Sequence, residues 1–190
     1  MYNFIAMKIT MILSSVRDNR LADSVQKRVH ELIGGRFEYT LVDPKEYDLP
    51  LLNKRYFEME NPSEKFRKLH EIFDSSDGFI IVTAEYNHGI PPALKNMLDH
   101  FGSEFKQKSC GIVSYSDGAV GGARSGEMLR LSCSTLGMPP IPISPAWGLA
   151  HLADEPAGKG FAANFEKTFK RFLDQFVWYT EAYMGQRAKA

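Results

Sequence analysis

Three short stretches of the chain are apolar at nearly every position: Lys8 to Leu13, Gly78 to Thr83 and Cys110 to Ser114. A strand with one face in water alternates apolar and polar residues, whereas an unbroken run fits a strand covered on both faces. These three therefore read as central strands of a parallel sheet. Phe37 to Val42 alternates more and suits a sheet edge. A fifth candidate, Met138 to Ile143, carries Pro139, Pro140 and Pro142, which cannot donate to a ladder, so it too is expected at an edge.

Helical patterns separate the strands. Leu21, Val25, Val29 and Leu32 repeat at helical spacing and stop at Gly34-Gly35. Asn61-Pro62-Ser63-Glu64 offers an N-cap, a first-turn proline and a capping acid for a helix with a Phe66, Leu69, Phe73 stripe. Pro91-Pro92 opens a helix carrying Leu94, Met97, Leu98 and Phe101, closed by Gly102, and Gly121-Gly122 precedes one carrying Leu129, Cys133 and Leu136. Phenylalanines and tyrosines from Phe161 to Tyr183 mark a final helix, Lys159 to about Arg187, roughly 40 Å long at about 1.5 Å per residue. Strands alternating with helices predict an α/β fold, a doubly wound five-stranded parallel sheet in three layers. With the least apolar strands at the edges its order is 2-1-3-4-5, and ligands bind where the chain reverses between the first and third strands.

Composition narrows the function. Residues 1–190 are expected to form one domain with an extended C-terminal helix; 44% of them are hydrophobic and 24% charged. Lys plus Arg total 23 and Asp plus Glu total 23, so no net field favours nucleic acid or an anionic membrane. No apolar run approaches the roughly 18 residues of a membrane span, and a cytoplasmic location is expected. Cys110 and Cys133 form no CxxC or metal-ligand spacing and read as buried free thiols. Met1 to Ala6 reads as an extension or an alternative start, since the periodic chain begins at Lys8.

Chemistry concentrates in three loops. After the first strand, Ser14-Ser15-Val16-Arg17-Asp18-Asn19-Arg20 leads into the helix at Leu21. Hydroxyls, guanidinium groups and free amides at a helix start suit a phosphate dianion, although a plain polar turn would look similar. The run has neither G-x-G-x-x-G nor a Walker loop. After the third strand comes Ala84-Glu85-Tyr86-Asn87-His88-Gly89, placed by the strand order beside the first loop, so Tyr86 and the backbone can border a flat ring. His88 has no evident partner and reads more simply as a solvated loop residue. The fourth strand ends in Ser114-Tyr115-Ser116-Asp117-Gly118-Ala119-Val120-Gly121-Gly122, whose glycines permit close approach to a planar ligand.

Together these loops resemble the NADPH-dependent FMN reductase family of flavodoxin-like proteins, which includes quinone, azo-dye and chromate reductases. Glu85-Tyr86-Asn87, Pro91 and Leu94-Lys95-Asn96 are similar to the family's P-E-Y-N-x-x-x-P-x-x-L-K-N signature, Ser14-Ser15-Val16-Arg17 to its G-S-x-R loop, and Gly121-Gly122 to its Gly-Gly turn. Ser14 stands where the family has glycine and Ala84 where it has proline. The resemblance implies FMN as cofactor and NADPH or NADH as co-substrate. It implies cofactor contacts from Ser14, Ser15, Arg17, Arg20 and Leu21, from Glu85, Tyr86, Asn87 and His88, and from Ser114, Ser116, Gly118, Gly121 and Gly122. No side chain is assigned as catalytic and no metal is expected, because the flavin carries the chemistry. The family also implies a homodimer or homotetramer. Trp178, Tyr179 and Tyr183 are candidates to meet a second subunit, and Asp48-Leu49-Pro50 matches a loop that can approach the partner's flavin. Trp147, Gly148 and His151 follow the fifth strand and either border the same mouth or form a structural loop.

The expected function is thus passage of two electrons from a nicotinamide to a small acceptor such as a quinone, azo compound or free flavin. A flavodoxin-type electron carrier and an inactive regulatory relative are the alternatives. Carriers of that type are strongly acidic and lack an arginine in the phosphate loop, unlike this chain.

Overall fold

The computed structural model describes residues 7–189, so the reading of Met1 to Ala6 lies outside the described residues. Five strands, β1 (Ile9–Leu13), β2 (Tyr39–Val42), β3 (Gly78–Ala84), β4 (Ser109–Tyr115) and β5 (Ala146–Trp147), form one parallel sheet in the order β2-β1-β3-β4-β5. Every residue of β1, β3 and β4 is buried, as their unbroken apolar runs require, while β2 exposes Thr40 and Leu41 at its edge.

Helices α1 (Ala22–Ile33) and α6 (Pro156–Arg187) cover one face of the sheet. Phe165, Phe169, Phe172 and Phe176 pack there against Ile80, Val82 and Val113. The short α2 (Pro44–Tyr47) and α3 (Glu64–Ser75), α4 (Pro92–Asp99) and α5 (Ala123–Thr135) pack on the other face, around Phe73, Phe79, Leu98 and Leu129. Cys110 and Cys133 meet in this second core, their sulfurs 3.6 Å apart, both buried and unbridged.

Four details depart from the sequence expectation. The β5 ladder is not Met138 to Ile143 but the later pair Ala146–Trp147, matched to Ser114 and Tyr115. Only an isolated bridge joins Pro140 to Cys110. The prolines explain this: Pro139 and Pro145 serve β4 only as acceptors, for Cys110 N–H and Ser114 N–H, so regular pairing waits until they are passed. In α1 the buried stripe is Ala22, Val25, Val29 and Ile33, with Leu21 and Leu32 at its margin. Helix α3 has Ser63 at its N-cap position, without a side-chain capping bond, and Pro62 lies outside it. Helix α6 begins three residues before Lys159 because Pro156 opens it, and its 32 residues reach roughly 48 Å at about 1.5 Å per residue.

Candidate functional site

The loops after β1, β3 and β4 meet at the carboxyl ends of the strands, where the chain reverses between β1 and β3. They enclose an open cleft of about 420 Å³. Ser15, Arg17, Arg20 and Leu21 line it from the first loop, Glu85, Tyr86 and His88 from the second, and Ser116 and Gly118 from the third. Ser14, Asn87, Ser114, Gly121 and Gly122 do not line it. Tyr115, Asn19 and Arg124 do, although the sequence reading did not assign them.

The first loop is held from within. All five guanidinium N–H groups of Arg20 have acceptors inside the protein: Nε and Nη2 donate to Asp23 at 3.1 and 2.7 Å, Nη1 to Ser15 O and to Asp43 at 2.5 and 2.7 Å, and Nη2 also to Asp43. No donor remains for a phosphate, so Arg20 fixes the loop through the Ser15 carbonyl. Asp43 in turn caps α2 by accepting Lys45 N–H at 3.0 Å. Burial pushes the Asp43 carboxyl up, but the bonds from Arg20 and Lys45 and the Arg20 charge outweigh it and hold it below its ordinary value. Arg17 is different. It is exposed, stands 5.8 Å over the Tyr86 ring, and has no hydrogen-bond or ion-pair partner among the described residues. Helix α1, which starts here, has no side-chain cap on its first amides.

After β3 the chain makes a tight turn in which Tyr86 and Gly89 exchange backbone hydrogen bonds at 3.1 and 2.9 Å. Asn87 and His88 at its tip are exposed and both have positive φ, 49° and 65°, as a two-residue turn of this hand demands. This geometry turns Asn87 out of the cleft wall. Tyr86 folds back instead, its hydroxyl 2.5 Å from Ser15 Oγ, joining the first two loops. Glu85 faces α5: its carboxylate accepts Arg124 N–H at 3.1 Å and Ser125 N–H at 3.3 Å, and Arg124 Nη1 lies 3.2 Å from its other oxygen. The start of α5 is therefore capped by the second loop.

In the third loop, Gly121 and Gly122 have φ of 67° and 72°, and a Cβ on either would lie within 3 Å of backbone, that of Trp147 and Gly148 or that of Tyr115. Close packing against β4 and β5 requires glycine at both positions. The Gly121 N–H is used by Gly118 O. Ser114 is buried, close to Gly126 of α5 and away from the cleft. Ser116 stays at the wall, its hydroxyl donating to Gly118 O at 3.0 Å. His151 reaches the third loop at Asp117, 3.5 Å away, while Trp147 stacks on Phe165. Asn96, from the Leu-Lys-Asn stretch of α4, holds the 50–52 segment through Pro50 O and Leu52 N–H. Tyr115 ends β4 beneath the cleft. A polar-tipped aromatic closing an apolar strand next to a polar loop is the sequence signal that would have singled it out.

Among the described residues, no group of three or more His, Cys, Asp or Glu is placed to hold a metal ion, and no helix is long and apolar enough to cross a membrane.

The NADPH-dependent FMN reductase family model matches residues 7–151. A quinone reductase of Pseudomonas putida is 30% identical over 175 residues, covering 89% of this chain and 90% of that protein. Among solved structures, the flavoenzyme FerB, an NAD(P)H:(acceptor) oxidoreductase from Paracoccus denitrificans, superposes with a TM-score of 0.77 at 21% identity, covering 91% of this chain and 98% of its own. A flavodoxin of Pseudomonas aeruginosa shares the fold with a TM-score of 0.52 at 16% identity, over 86% of this chain and 99% of its own.

Proposed function

This chain belongs to the NADPH-dependent FMN reductase family and is an NAD(P)H-dependent reductase-like oxidoreductase, and from that premise we propose that its cleft holds FMN. The flavin would accept two electrons from NADPH or NADH and pass them to a quinone, azo compound or free flavin, the overall reaction consuming one proton and giving NAD(P)⁺ and the reduced acceptor. The observation that carries this reading is Arg17, a guanidinium with no hydrogen-bond or ion-pair partner among the described residues, which lines the same cleft as Ser15 and the start of α1, whose first amides carry no side-chain cap. A dianionic phosphate fits those donors. The Tyr86 turn and the Ser116 to Gly118 segment bound the adjoining space, and the cleft lies within the range of cofactor sites, about 300–1,000 Å³.

The chain's own contribution is positioning. Arg17 and Ser15 would fix the phosphate, Glu85 locks the second loop to the third, and Arg20 holds the first loop in shape. The openness of the cleft supports acceptors of several shapes. A single domain acting in the cytoplasm, where buried thiols stay reduced, completes the reading.

Purified protein tests it. FMN-loaded protein should be yellow, bleach with NADPH or NADH without oxygen, and recolour on adding a quinone. Protein that ignores added FMN sinks the proposal; yellow protein that no nicotinamide bleaches indicates an electron carrier. Arg17→Ala should weaken FMN at least tenfold, consistent with a lost charge-assisted bond of about 1.5–3 kcal/mol, while His88→Ala leaves turnover within about twofold.

A further inference from the structure

Tyr115 is 3% exposed, and its hydroxyl proton has no hydrogen-bond acceptor among the described residues. A phenol sealed from water normally finds one. This hydroxyl is not lost among apolar side chains: Tyr115 lines the cleft, and its oxygen stands beside Ser14 and feels Arg20, Tyr86 and Asp23. It lies beneath the first loop. None of the polar groups around it takes the phenol proton: Arg20 can only donate and is engaged with Asp23, Asp43 and Ser15 O, Ser15 pairs with Tyr86, and the Ser14 oxygen accepts Ala84 N–H, so Ser14 meets the phenol oxygen as a donor.

We propose that the Tyr115 hydroxyl is a donor kept unpaired for the phosphate of the bound flavin nucleotide. Phosphate entry separates Ser15 from Tyr86, and the Tyr115 O–H then donates to a phosphate oxygen alongside Ser15 and Arg17. Burial pushes the phenol above its ordinary pKa, so it stays protonated and keeps its proton to donate. A neutral donor also adds attraction here without a further buried charge to desolvate. The inference rests on the FMN reading above.

Such a donor has a signature that a packing role lacks. The free protein bears an unmade hydrogen bond, which the complex makes. Tyr115→Phe, which keeps the ring, should raise the melting temperature of the flavin-free full chain by about 2 °C or more. It should also weaken FMN about tenfold, read by quenching of flavin fluorescence, while riboflavin, which has no phosphate, changes less than about twofold. Unchanged FMN affinity, equal losses for FMN and riboflavin, or a lower melting temperature each overturn the proposal. In the first two cases the parent's own binding of FMN keeps the broader reading intact; a parent that takes up no FMN overturns both.

Discussion

The Ser14 hydroxyl accepts the Ala84 N–H at 2.8 Å, tying the end of β1 to the end of β3 where both are buried. These are the two positions at which the sequence departs from the family pattern of glycine and proline. A proline there would have no N–H to satisfy, so the alanine creates a buried donor and the serine supplies its acceptor. Ser14 has no positive φ, so its backbone does not require glycine. The two departures are one compensated change.

A double-mutant cycle measures that compensation. Ser14→Ala should cost about 1–3 kcal/mol by stranding the Ala84 amide. Ala84→Pro should be worse in the parent, where its ring meets the Ser14 hydroxyl, than in Ser14→Gly. Additive effects in urea unfolding would show the two positions to be independent.

The Arg20 and Asp43 pair gives a pH-dependent expectation. Asp43 is held below its ordinary value, so its stabilisation is fully present above the unfolded carboxylate value, about 4, and is lost as pH falls through the lower folded value. Asp43→Asn leaves Arg20 short of a buried counter-charge and should cost about 3 kcal/mol near neutrality. The gap between parent and variant should narrow below about pH 4. A gap that stays constant from pH 7 to pH 3 would mean that the pair contributes nothing through charge.

The sheet order was legible because β1, β3 and β4 are apolar without alternation, and only a sheet covered on both faces accepts three such strands. The strand β5 was not, because its ladder is decided by where Pro145 ends, not by where the apolar run lies. Within the site, residue type located the loops but not the partners. Arg17 and Arg20 look alike in sequence, yet only folding brings Asp43, 23 residues away, onto Arg20 and leaves Arg17 without one. Glu85, at the cleft wall, likewise finds its hydrogen-bond partners 39 and 40 residues away.

Glu85 therefore makes a separable prediction. Its carboxylate accepts two amides at the start of α5, where negative charge is favoured, and pairs with Arg124. Glu85→Ala should cost about 1–2 kcal/mol, as loss of a helix cap does. Glu85→Gln, which keeps an acceptor oxygen, should cost less. Because this contact fixes the third loop against the second, both variants should weaken FMN in the same order. A loss of flavin affinity in Glu85→Gln with no change in stability would instead assign the carboxylate to the ring.

The apolar surface bears on assembly. Trp178 is 63% exposed on α6, and further exposed apolar side chains lie on the opposite layer. There Phe57 and Leu131, 75% and 74% exposed, share a groove of about 800 Å³ with Leu52, between the segment after α2 and helices α4 and α5. Large apolar side chains left in water beside one another mark an association surface. A two-fold contact through this groove would make a homodimer, and a second contact through Trp178 on the other layer would make a homotetramer. Phe57→Glu should yield monomers by sedimentation with the fold intact by circular dichroism. Trp178→Glu should at most reduce a tetramer to dimers. An unchanged sedimentation coefficient in Phe57→Glu, from a parent that is oligomeric, would move the principal interface away from the groove.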